Sequence, residues 1–164
     1  MSITEWLAWL EASPVGRVAT ESLWGFPILV AVHIMGLTVS VGTIVWFDLR
    51  LLGVALRGCP VTDVYRRLIP WATAGFLVMV VSGGWLFVGY ATSAYVNIAF
   101  RIKIAAIVLA GVNALAYHRL TERHVREWDA LVRLPLPARM AGLVSIALWV
   151  TAILAGRMMS YTMF

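Results

Sequence analysis

Residues 31–53 read AVHIMGLTVSVGTIVWFDLRLLG, a run in which His33 is the only titratable group before Asp48 and Arg50 end it. The uncharged stretch extends back to Ser22, so 22–47 alone exceeds the roughly 20 apolar residues that a helix needs to cross a bilayer. Further uncharged tracts cover 68–100, 104–117 and 140–156. The third of the four reaches spanning length only if Arg101 and Lys103 lie near an interface and extend their alkyl stems outward. The expected fold is all-α: a polytopic membrane protein, a four-transmembrane-helix bundle with spans at about 23–48, 69–90, 97–119 and 139–161. It forms one integral membrane domain over 1–164.

The composition agrees, since 62% of the 164 residues are hydrophobic and eight are tryptophan, far more than a soluble domain of this size uses. A net charge of +5 could suggest nucleic acid, but the basic residues cluster in short connections between apolar segments. The first connection holds Arg50, Arg57, Arg66 and Arg67, and the third holds Arg119, Arg123, Arg126, Arg133 and Arg139. That bias predicts both connections in the cytoplasm and both termini on the periplasmic side, with the lipid bilayer and not nucleic acid as the partner. Cys59 is the only cysteine, which excludes an intrachain disulfide and a multi-cysteine metal site.

Ahead of the first span, Ser2-Ile3-Thr4-Glu5 can form a capping box, followed by Ile3, Trp6, Leu7 and Leu10 at helical spacing. This predicts a short amphipathic helix over 3–12, lying at the outer interface and ended by Ser13-Pro14 and Gly16. MSITEWLAWL lacks a cationic start, so a cleaved secretory signal is not expected. Pro70 predicts a second span that begins near Ile69, and 120–132 could form a brief surface helix.

Stripes of small and polar residues run along the first three spans: His33, Gly36, Ser40 and Thr43; Ala72, Gly75, Met79 and Ser82; Ala106, Ala110, Asn113 and Tyr117. In lipid such stripes permit close helix contact. Asn113 must find a partner in hydrocarbon, and Ser40 at similar depth is the expected latch.

His33 is a candidate haem-iron ligand, with Gly36 one turn later leaving room for a flat macrocycle. It lies about ten residues from the outer end of its span and His118 about 21 residues into span three. The depths therefore differ by roughly 15 Å, too far for one haem to join them. A second His33 from a two-fold-related copy could supply the opposite ligand. At the inner end Asp48 could accept a hydrogen bond from His118, with Tyr117 nearby, as a second polar site. At the outer end Glu21, Arg101 and Lys103 could gather to hold an anionic ligand. No catalytic motif is present: GxGxxG, P-loop, HExxH, CxxCH and GxSxG are all missing, so no residue is assigned a catalytic role.

Together HIMGLTVSVGTIVWFDLRLLG, LIPWATAGFLVMVVSG and NIAFRIKIAAIVLAGVNALAYH resemble an uncharacterised family of small bacterial four-helix membrane proteins. The first span, through His33, Gly36 and Gly42, is also similar to copper-resistance D-type and b-type cytochrome-like membrane proteins. The first resemblance implies a multi-pass protein of the bacterial inner membrane, and the second implies haem b or copper. Met158, Met159 and Met163 offer sulfur for cuprous copper, although no MxxxM lies centrally in a span. The favoured expectation is an accessory or cofactor-bearing subunit of a membrane redox complex, a homodimer or larger assembly. Such a chain is a non-catalytic subunit or electron carrier rather than an independent enzyme. The alternatives are metal or small-molecule transport or binding, and a structural scaffold.

Overall fold

The computed structural model describes residues 2–121, 128–129, 131 and 134–162. Its helices are α1 (Ile3–Glu11), α2 (Pro14–Thr20), α3 (Gly25–Leu52), α4 (Val61–Gly89), α5 (Ala91–Val96), α6 (Ile98–Thr121) and α7 (Leu136–Thr162). Four of them, α3, α4, α6 and α7, are long and apolar enough to cross a membrane. Four successive crossings bring both chain ends to one end of the bundle, here the termini end. The connections after α3 and α6 lie at the opposite, loop end.

The capping box forms as the sequence suggests: the Glu5 amide donates to Ser2 Oγ at 3.2 Å and the Ser2 amide to Glu5 Oε2 at 2.8 Å. Helix α1 ends ahead of Ser13-Pro14, as the sequence suggests, and the same pair begins a second helix. Ser13 Oγ accepts from the Gly16 amide, and Pro14 occupies the first turn, where its missing N–H costs nothing. The two short helices pack over the termini end. Glu11 Oε1 accepts from the Thr92 amide at 2.8 Å and hydroxyl at 2.7 Å, and Trp85 Nε1 donates to the Val15 carbonyl at 2.9 Å. Ile3, Trp6 and Trp9 stay exposed, as interfacial anchors do.

Helix α3 ends at Gly53, whose φ of 71° is the left-handed conformation glycine adopts without strain. Helix α4 starts at Val61, eight residues before the expected Ile69, and carries Pro70 inside it. Two local features extend it. Val61 and Val64 repeat at helical spacing in a buried cluster, and the Asp129 carboxylate accepts from the Thr62 amide at 3.0 Å, satisfying the helix start. Pro70 removes the donor that would pair with the Arg66 carbonyl, on an exposed residue near the loop end. The expected surface helix over 120–132 falls largely outside the described residues, as do Arg123, His124, Arg126, Arg133 and Met163.

Packing follows the small-residue stripes. Ala72, Gly75, Met79 and Ser82 of α4 are buried, as are Ala138, Gly142, Ser145, Trp149, Ala152 and Ala155 of α7. A Cβ at Gly75 would lie 2.6 Å from the Ser40 amide nitrogen and 2.8 Å from the Gly36 carbonyl, so α3 and α4 touch backbone to backbone. Helix α3 also packs on α7, and α7 on α6. Helices α4 and α6 meet instead through rings: Phe87 stacks on Phe100 at 5.4 Å near the termini end, and Tyr65 on His118 at 6.3 Å near the loop end. The middle of the bundle is an apolar layer of Val41, Met79, Ala110 and Trp149, with Phe76 set edge-on to Trp149 at 6.5 Å. Large apolar side chains such as Trp46, Val81 and Leu109 point outward, the inverse of a soluble protein.

Candidate functional site

Two polar sites lie on opposite sides of the apolar layer. The first is built at the termini end. His33 lies eight residues past Gly25, Ser82 seven before Gly89, Lys103 five past Ile98 and Gly156 six before Thr162. At 1.5 Å per residue all four sit about 8–12 Å in from that end.

The stripe on α6 explains why Lys103 faces inward. Ala99, Ala106, Ala110 and Tyr117 are buried and Asn113 is part-buried; Lys103, four residues after Ala99 and three before Ala106, continues the same face. Its stem lies across α7, where a Cβ at Gly156 would stand 3.6 Å from Cδ and 3.7 Å from Nζ. Among the described residues no carboxylate pairs with it; Glu11 is held by Thr92, and Glu21 is exposed at the end of α2.

His33 is seated on α4. A Cβ at Gly83 would be 2.9 Å from His33 Cε1, so the imidazole occupies space that only glycine leaves. Its Nδ1 is 3.0 Å from Ser82 Oγ, and Ser82 is buried.

The expected outer cluster separates. Arg101 is exposed, its Nε donating to the Tyr95 carbonyl at 3.1 Å and its guanidinium 5.5 Å from the Tyr95 ring centre, while Lys103 points the other way. Two positions along a helix turn a side chain by about 200°, which divides the pair. Gly36 packs against α4: a Cβ there would meet the Gly75 carbonyl at 2.9 Å and Val78 Cγ1 at 3.0 Å.

The second site lies toward the loop end. Asp48 is 4% exposed, and its Oδ2 has no hydrogen-bond partner. It faces Ser145 on α7, where Gly142 lets the α3 backbone approach: a Cβ there would lie 3.0 Å from the Asp48 carbonyl. The expected Asp48–His118 hydrogen bond does not form, because Asp48 lies on the α7 side of α3 whereas His118 is exposed and reaches Tyr65, Nδ1 to hydroxyl at 3.5 Å. Tyr117 is buried on the neighbouring face, edge-on to Phe47 at 5.8 Å. Arg50, 1% exposed, turns to the connection, donating from Nε to the Cys59 carbonyl at 2.9 Å.

Asn113 does tie two helices, but its Nδ2 donates to the Ala141 carbonyl on α7 at 2.9 Å rather than to Ser40. Ser40 lies against Gly75 on α4, away from α6. Met158 is exposed and Met159 part-buried in the last turns of α7. Among the described residues no group of three or more His, Cys, Asp or Glu side chains could hold a metal ion.

No curated protein and no solved structure matches the chain, so the likeness to copper-resistance D-type and b-type cytochrome-like proteins gains no support. The pattern of a family of unknown function, DUF6644, matches residues 6–162, and the chain, with its four apolar crossings and short N-terminal helices, belongs to that family.

Proposed function

We propose that this protein is a membrane-embedded binding protein for a small lipophilic molecule with an oxygen-bearing head, the head resting between His33 and Lys103. The observation that carries this reading is a lysine on the inward stripe of α6, its stem against Gly156, at the depth of a histidine on α3, with no carboxylate partner among the described residues. A charge left uncompensated at membrane depth is costly, and such residues mark ligand or ion sites. The α4–α6 side, closed by ring contacts rather than by backbone, supports entry from the lipid. The apolar layer around Trp149 and Met79 supports binding over passage, since it lies between the two polar sites.

The test is extraction in native lipid discs followed by mass spectrometry of bound small molecules. A species enriched with the wild-type chain and lost from Lys103→Met is the expected result; identical profiles would sink the reading. An absorbance spectrum of the same material separates the alternative. A Soret band that disappears in His33→Ala would replace this reading with a haem-bearing redox subunit.

The arginine-rich loop end is proposed to face the cytoplasm of a bacterial inner membrane, with both termini periplasmic. Cys59, exposed in the first connection, is a native reporter. A membrane-impermeant maleimide should label it in inverted vesicles and not in intact cells, and the reverse pattern would invert the topology.

A further inference from the structure

We infer that a slot on the lipid-facing seam of α4 and α6, toward the loop end, holds one chain of an anionic phospholipid, its phosphate met by Arg66 and Arg119. The inference is independent of His33 and Lys103, which lie on the other side of the apolar layer.

The seam can be followed along both helices. On α4, Tyr65, Phe76 and Phe87 recur at a spacing of eleven residues, three helical turns, and on α6 Phe100, Ile107 and His118 hold the matching line. Phe87 stacks on Phe100 and Tyr65 on His118, while between those contacts Phe76 and Ile107 pack on the layer around Trp149. From that layer to the Tyr65–His118 contact the same two lines carry little bulk. On α6 they pass through Gly111, four residues after Ile107, and Ala114, both exposed; on α4 they pass through Ile69 and the exposed Thr73. A Cβ at Gly111 would find no atom within 4 Å, whereas on the α3–α4 seam a Cβ at Gly75 would stand 2.6 Å from backbone. One seam of α4 is shut, and the other leaves a slot. Tyr65 to Phe76 is about 16 Å along the axis, half of a hydrocarbon core roughly 30 Å thick, so the slot has the depth of one leaflet.

The mouth of the slot is cationic. Tyr65 lies four residues into α4 and His118 three before the end of α6, so both stand about 5–6 Å in from the loop end, where rings meet lipid head groups. Tyr65 is held from two sides, edge-on to Phe47 at 5.5 Å and with its hydroxyl 3.5 Å from His118 Nδ1. Arg66 and Arg119 directly follow these two residues and are exposed, as is Arg67. On the same helix ends the one exposed carboxylate among the described residues is Asp63, and Asp129 is engaged by Thr62. A guanidinium is always charged and offers phosphate oxygens a planar pair of donors. Basic residues between helices at this level hold lipid head groups. A choline head would bring a second cation to the arginines, whereas a head whose only charge is its phosphate adds none. The chain below that phosphate covers Gly111, Ala114 and Thr73, which no side chain of the protein fills.

Native mass spectrometry tests this on the full-length protein, released from discs made of equal parts dioleoylphosphatidylglycerol and dioleoylphosphatidylcholine. One phosphatidylglycerol should stay bound, in excess over phosphatidylcholine by about fivefold or more, the effect of a single arginine near an anionic lipid. In Arg66→Gln/Arg119→Gln the two lipids should approach parity. Arg57→Gln/Arg139→Gln, which removes two exposed arginines on the α3 and α7 sides, should keep the preference. Gly111→Leu, whose Cβ enters open space, should melt like the wild type and retain less of both lipids. Parity in the wild type would overturn the inference, as would full retention by Gly111→Leu. Equal losses in the two arginine pairs would do the same, by showing that the loop end attracts anions as a whole. Displacement of the lipid by glycerol phosphate would leave a phosphate site with no chain, and a dimer broken by Gly111→Leu would put a second copy of this chain in the slot; either result also sinks it.

Discussion

The two ends of the bundle are built on different principles. At the loop end Phe47, Leu51, Val61, Val64, Tyr117, Leu134 and Ala138 form a closed cluster, with Phe47 edge-on to both Tyr65 and Tyr117. At the termini end the corresponding depth holds His33, Ser82 and Lys103, spaced from the backbone by Gly83 and Gly156. Rings fill the interior at the loop end, whereas the termini end sets polar groups and glycine beside its Phe87–Phe100 stack. The contrast predicts that more of the stability is held at the loop end.

The largest test of that contrast is Phe47→Ala. Truncating this buried ring should cost about 3 kcal/mol, the usual loss for a core aromatic. Reversible unfolding in mixed micelles measures it. Phe100→Ala at the opposite end, part-buried and stacked on Phe87, should cost clearly less. Equal losses would remove the asymmetry.

Next is the seam that both ends share. Gly75→Val places a branched side chain where a Cβ alone would stand 2.6 Å from the Ser40 amide nitrogen, and that neighbour is backbone that cannot swing aside. Overpacking should cost about 2 kcal/mol by the same unfolding measurement. Gly42→Val, on the facing helix α3 with nothing within 4 Å of its Cβ, is the control and should unfold close to wild type. A Gly75 variant as stable as the Gly42 variant would mean that α3 and α4 are not in backbone contact.

Much of this was legible in the sequence, and the misreadings share a cause. Charge-free tracts and arginine-rich connections located the four crossings, because hydrocarbon thickness acts on length and composition, which a linear reading sees. Helix rotation is less visible. Lys103 was read beside Arg101 as an outward-reaching stem, yet the stripe Ala106, Ala110, Asn113, Tyr117, continued three and four residues backward, passes through Lys103 and Ala99. Asn113 was paired with Ser40 by depth alone, and depth does not say which neighbour a helix faces; α7 lies beside α6, and α3 does not. Pro14 does mark a boundary, with Ser13 capping the helix that follows, whereas Pro70, expected at a helix start, sits at an exposed interior position of a helix whose start is satisfied by Asp129.

The Asn113 bond itself should be modest. Asn113→Ala removes a donor to Ala141, and interhelical hydrogen bonds in membranes are worth about 0.6–2 kcal/mol, because the separated helices find other partners. A loss near 1 kcal/mol in unfolding experiments is expected. A change of Phe47→Ala size would show that this latch, and not the aromatic cluster, holds the bundle together.

The smallest effect, and the most telling for function, is expected from Lys103→Met. Methionine keeps the stem that lies across Gly156 and removes an ammonium with no carboxylate to meet among the described residues. Desolvating that charge opposes folding, so the variant should match or exceed the wild type, with a change in unfolding free energy of about 1 kcal/mol or less. A marked destabilisation would mean that Lys103 holds the helices together, and the site would then be structural. An unchanged or raised stability, joined to lost ligand binding, separates the two requirements: the loop end would supply the fold, and the termini end would spend part of that stability on holding a polar head inside the bilayer.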